Sequence, residues 1–69
     1  MTGPAEWRVG DLVVVRPKTD ADRKTLEVIG RTGEIVGIRR TRATVRGTWN
    51  RAEWKESIRL VDLRKEELA

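Results

Sequence analysis

Arg42-Ala43-Thr44-Val45-Arg46-Gly47-Thr48-Trp49 is the stretch that decides the fold. Ala43, Val45, Gly47 and Trp49 fall on one face, and Arg42, Thr44, Arg46 and Thr48 fall on the other. Such alternation marks a strand with one dry face and one wet face. Trp49 therefore belongs with the core. The wet face carries Arg42 and Arg46 about 13 Å apart, at roughly 3.3 Å of rise per residue.

Toward the N-terminus, Arg39 to Thr41 makes a tight connection back to a second strand, Arg31 to Arg40. Ile35, Val36 and Ile38 are its apolar residues, and Gly33 and Gly37 interrupt it. Glycine inside a strand marks a bend, a bulge or a close backbone approach. Lys18 to Gly30 reads as a long loop with one helical turn, the alternative being a short helix capped by Thr19 or Asp20 with Gly30 just past its end. Asp11 to Pro17 is a further strand. Its four consecutive apolar residues, Leu12-Val13-Val14-Val15, predict burial on both faces or a strong bend. Residues 1–8 form an arm carrying Trp7, which is either a plug on the barrel or a contact.

Toward the C-terminus, Asn50-Arg51-Ala52 is a turn and Glu53 to Lys55 a short strand with Trp54 inward or at the rim. Glu56-Ser57-Ile58 suits a single 3-10 turn. Arg59 to Leu63 is the last strand, and residues 64–69 are a tail or short helical turn. Five short strands, two of them bent by glycine, predict an all-β domain closed into a small barrel, because closure removes exposed edges.

The composition excludes much chemistry. Among 69 residues there is no cysteine and no histidine. Tyr, Phe and Gln are absent too, and Ser57 is the only serine. Disulfides, thiolate metal sites and Ser–His or Cys–His catalysis cannot be assembled. Asp20 with Asp22, or Glu66 with Glu67, read as solvated surface charge rather than as an acid–base pair or a Mg²⁺ site. The expectation is a binding module that is not an enzyme and takes no cofactor, metal or small-molecule substrate. No apolar run approaches the ~20 residues that span a bilayer. The N-terminus lacks a basic region followed by an apolar stretch. A cytoplasmic protein without membrane contact is the corresponding expectation.

The net charge of +4 is unevenly placed. Residues 31–51 hold Arg31, Arg39, Arg40, Arg42, Arg46 and Arg51 against one acid, Glu34, for a net +5. Residues 1–30 are neutral overall and residues 52–69 carry a net −1. Arginine outnumbers lysine eleven to four, and its planar fork suits phosphate or carboxylate.

Gly10-Asp11-Leu12-Val13-Val14-Val15, a loop, and then Gly30-Arg31-Thr32-Gly33-Glu34-Ile35-Val36 resemble the KOW motif. Residues 9–63 as a whole resemble an SH3-like barrel of that type, with the 3-10 turn at Ser57-Ile58-Arg59. The resemblance implies that Val13 and Val15 point to the core. It also implies binding of RNA, DNA or protein. The loop at 18–29 is longer than in the compact ribosomal and elongation-factor members.

Two partners follow from these observations. Nucleic acid would meet Arg39, Arg40, Arg42 and Arg46, with Arg31 and Arg51 at the margin, through backbone contacts that carry little sequence specificity. Any exposed tryptophan, with Trp49, Trp54 and Trp7 as candidates, would stack a base or touch a partner. The alternative is docking to an acidic protein or a larger assembly. The interleaved acids Asp20, Asp22, Glu27, Glu53 and Glu56 favour docking if they share the arginine face.

Overall fold

A computed structural model of the chain describes residues 7–66. Five antiparallel strands form one sheet: β1 (Leu12–Val15), β2 (Thr32–Arg39), β3 (Arg42–Trp49), β4 (Ala52–Arg59) and β5 (Leu63–Lys65). Their order in space is β4-β3-β2-β1-β5. A single helical turn, α1 (Arg23–Leu26), lies between β1 and β2, and a 3-10 turn (Leu60–Asp62) precedes β5. The domain is all-β, with five strands and the 3-10 turn before the last of them. No ladder joins β4 to β5 among the described residues.

The alternating patterns place the core. Val13 and Val15 of β1, Ile35 of β2, Ala43 and Val45 of β3, Trp54 and Ile58 of β4 and Leu63 of β5 are buried together. Val28 from the long loop and Leu60 from the 3-10 turn complete the cluster. Each fully buried aliphatic side chain, such as Ile35 or Ile58, contributes roughly 1.5–3 kcal/mol. On β1 only alternate residues are buried. Leu12 is exposed and Val14 half-buried, so the four apolar residues do not serve two dry faces.

Glycine shapes β2 as the pattern implies. The register with β3 slips between Ile35 and Gly37, a bulge that leaves Ile38 opposite Ala43. Gly33 has a different role. A Cβ there would stand 2.7 Å from the Arg46 carbonyl oxygen. Gly47 is the reciprocal position, where a Cβ would collide with the Thr32 carbonyl oxygen. The two strands therefore cross at a distance that no side chain on these two residues permits.

Three boundaries differ from the sequence reading. β4 runs on to Arg59 instead of stopping at Lys55. The 3-10 turn consequently sits at Leu60–Asp62, not at Glu56–Ile58 or Ser57–Arg59. The last strand begins at Leu63, and Arg64 and Lys65 belong to it rather than to a tail or helical turn. The turn is fixed by tertiary bonds. The Leu60 amide donates to the Thr41 carbonyl at 2.8 Å, and the Arg16 amide donates to the Asp62 carbonyl at 2.8 Å.

The long loop does contain one helical turn. Its cap is Asp22, whose Oδ1 accepts from the Thr25 amide at 2.9 Å, and not Thr19 or Asp20. Trp7 is half-buried and packs on the core cluster, with Lys65 Nζ 5.7 Å from its ring. The rest of the arm up to residue 6, and residues 67–69 of the tail, lie outside the described residues.

Candidate functional site

The register aligns the outward side chains in rows across β2, β3 and β4. Arg39 faces Arg42, and Arg42 faces Arg59. Two rows further along β3, Glu34 faces Arg46, and Arg46 faces Lys55. Three adjacent guanidinium groups in one row would repel one another unless anions stood between them. The fold supplies such anions for two of the three.

Arg42 donates through Nε to Ser57 Oγ at 3.0 Å. Its terminal nitrogen donates to the Ser57 carbonyl at 2.9 Å and to Asp22 Oδ2 at 3.1 Å. Hydrogen bonding from Thr25 holds the Asp22 carboxyl down at about 2, with the Arg42 bond adding to the effect. Arg59 donates to Asp62 Oδ2 at 2.9 Å and to Asp20 Oδ1 at 2.8 Å. Both carboxylates raise its proton affinity, Asp20 more than Asp62. The Arg59 bond in turn lowers the Asp20 carboxyl. Asp62 is fully buried and also accepts the Lys18 amide at 2.8 Å. Asp20 and Asp22 are thus structural partners of arginine and not free surface charge.

The remaining candidates divide differently. Arg46 is exposed and pairs with Glu53 at 3.4 Å. Exposed pairs of this kind contribute little and are easily exchanged. Arg39, Arg40 and Arg51 are exposed and make no side-chain hydrogen bond or ion pair with the described residues. Arg39 and Arg40 stand at the β2–β3 turn, beside an open cleft of about 540 Å³. Arg42 and the half-exposed Ile38 also line it. Arg40, Asn50 and Arg51 all have positive φ, at 56°, 53° and 70°. Both hairpin turns therefore hold an arginine in the left-handed region, where glycine or asparagine is the comfortable residue.

The tryptophans also separate. Trp54 is buried. Trp7 covers the core. Trp49 corrects the alternation: it is 47% exposed. The ladder with β2 ends at Glu34–Arg46, so Gly47 to Trp49 pair with β4 alone. The face is as expected, but the core stops short of it. Arg31 lies over this end, its guanidinium 4.9 Å from the Trp49 ring and 5.9 Å from the Trp54 ring.

The chain matches no family model, no curated protein and no solved structure.

The structure brings Arg39, Arg40 and Arg42 together at one hairpin and leaves Arg31 and Arg51 at the far end of β3. Arg59 is a member of the arginine row that sequence reasoning missed. Its spacing to Asp62 was a readable signal, since a 3-10 turn brings positions three apart together. Among the described residues no group of three His, Cys, Asp or Glu side chains could hold a metal ion. Among the same residues no helix is long and apolar enough to cross a membrane.

Proposed function

We propose that this domain binds the sugar–phosphate backbone of nucleic acid at the β2–β3 hairpin. Arg39 and Arg40 are the contacting residues, and Arg42, held by Ser57 and Asp22, lines the same cleft. One observation carries the reading. Arg39 and Arg40 have no acceptor among the described residues, whereas Arg42 and Arg59 in the same row are held by carboxylates. An unpaired guanidinium keeps its donors for a ligand, and phosphate oxygens fit its fork. The resemblance to KOW-type barrels agrees with this reading.

Titration of labelled oligonucleotides across salt concentrations is the test. Affinity should fall with a log–log slope of about −0.9 per phosphate on duplex, or −0.7 on a single strand. Replacing Arg39 and Arg40 together by alanine should reduce the slope by about 1.4–1.8 without changing the fold. Absence of binding at low salt would overturn the proposal.

A protein-docking reading has one observation of its own. Leu26 and Ile29 in the long loop are exposed, at 46% and 54%. If that surface carries the function, Leu26→Ser with Ile29→Ser should abolish partner capture and leave oligonucleotide binding intact.

A further inference from the structure

We propose that Trp49 and Arg31 form a stacking site for an unpaired base, so that the domain prefers single-stranded nucleic acid to duplex. The inference rests on the nucleic-acid reading above and uses the opposite end of β3.

Three features at this end leave binding capacity that the fold does not use. Trp49 keeps 47% of its surface in solvent although Trp54, on the same face of the hairpin, is buried. Its ring lies beyond the β2–β3 ladder, so the core would close without it. Arg31 is half-buried against both rings, yet its guanidinium meets no acceptor among the described residues. Contact with the two rings restrains that group and removes part of the freedom it would lose on binding an anion. Arg51, two residues after Trp49, is held at φ 70° and makes no ion pair with the described residues. Strain, an exposed aromatic ring and an unpaired cation gathered in one place are what a ligand site leaves in a small fold.

The chemistry selects the ligand. An indole face takes any base by stacking and does not depend on its edge. A base inside a duplex has both faces covered and cannot reach it. The base would lie on the face of Trp49 that Arg31 leaves open, while Arg31 and Arg51 donate to the oxygens of the adjoining phosphates. An acidic peptide would satisfy the arginines but gain nothing from the ring.

Fluorescence anisotropy separates these cases, with an oligothymidylate of about 12 nucleotides, a duplex of the same length and poly-glutamate as probes. Wild-type protein should bind the single strand more tightly than the duplex. Trp49→Ala should weaken single-strand binding about tenfold or more and leave duplex affinity nearly unchanged. Trp49→Phe, which keeps a ring, should restore most of the loss. Thermal melts establish that each variant is folded, and Trp49→Leu replaces the alanine variant if that one is not. Unchanged single-strand affinity in a folded Trp49→Ala or Trp49→Leu protein would overturn the stacking site and leave the hairpin proposal standing. Poly-glutamate binding at least as tight as that of the single strand would also overturn it, in favour of an acidic peptide. A wild type that binds neither oligonucleotide would overturn both proposals.

Discussion

Arg39 and Arg42 face each other across the β2–β3 hairpin and have opposite roles. Arg42 is tied to Ser57 and Asp22, and its row-mate Arg59 to Asp20 and Asp62. Arg39, with Arg40 beside it, is tied to nothing among the described residues. The tied arginines draw the long β1–β2 loop down onto β4 by placing its aspartates between like charges. The untied ones have no such task. A run of positive charge in a sequence therefore mixes two populations, and only acceptors brought from distant residues separate them.

The largest effect should come from removing the buried end of the tied network. Asp62 joins Arg59, the Lys18 amide and the 3-10 turn. Asp62→Ala leaves Arg59 half-satisfied and an amide without its acceptor. A loss of about 3 kcal/mol or more is expected, enough to unfold much of a domain this small. Urea denaturation measures it. A loss under about 1 kcal/mol would mean that the network does not anchor the loop.

The Trp49 end of β3 depends on close approach rather than on charge. Gly47→Ala drives a Cβ into the Thr32 carbonyl oxygen and to 2.9 Å from Trp54 Nε1. About 2 kcal/mol of destabilisation should follow. The same change at Gly37, whose Cβ would meet nothing within 4 Å, should cost far less. Equal losses at the two glycines would remove the strand crossing as the cause.

Arg39 and Arg42 can be exchanged as a direct test of the comparison. Arg42→Ala should lower stability by about 1 kcal/mol, since it forfeits bonds to Ser57 and Asp22. Its effect on the salt slope of oligonucleotide binding should be small. Arg39→Ala should do the reverse, leaving the melt unchanged while reducing the slope by roughly 0.7–0.9. If both variants change both readouts equally, the two populations are one.

Acid should loosen the tied half first. The Asp22 carboxyl lies at about 2 against its ordinary 3.8. A depressed carboxylate stabilises the fold fully above its unfolded value and loses that effect as pH falls through the folded one. Stability should therefore decline between about pH 4 and pH 2. Asp22→Asn keeps a capping oxygen but removes the charge, so it should flatten this part of the acid limb. An unchanged limb would place the acid sensitivity elsewhere.

Local pattern carried the strands well and tertiary reach poorly. The bounds Arg42–Trp49 are those the alternation gives, because both faces of β3 are marked by chemistry. The sequence pattern stops β4 at Lys55 because Glu56 and Ser57 are weak strand formers, and only pairing with Val45 and Thr44 keeps them extended. Trp49 lies on the face that alternation assigns but stays half in solvent. Alternation assigns a face and says nothing of where the neighbouring strand stops. For the site, the six arginines were legible as a cluster. Their division into tied and untied was not, since Asp22 and Asp20 lie 20 and 39 residues from their partners. Asp62 gave no hint of its burial, because the Lys18 amide that it holds is 44 residues away.

The smallest expected effect is the most discriminating. Arg51 occupies the second position of a two-residue turn with φ 70°, directly after Asn50 at φ 53°. Hairpin turns with two positive φ values favour Asn-Gly, because glycine adopts the left-handed region without a Cβ clash. Arg51→Gly should relieve that strain. The gain is reduced by glycine's greater freedom in the unfolded chain, which leaves about 0.5 kcal/mol of net stabilisation. An arginine kept only for the fold would cost stability when removed; this one should return it. The same variant should weaken single-strand binding, with a salt slope lower by about 0.7. A stabilised protein that binds less well would show that the turn carries its strain for the ligand. A stabilised protein that binds equally well would leave Arg51 outside the site and confine the stacking proposal to Trp49 and Arg31.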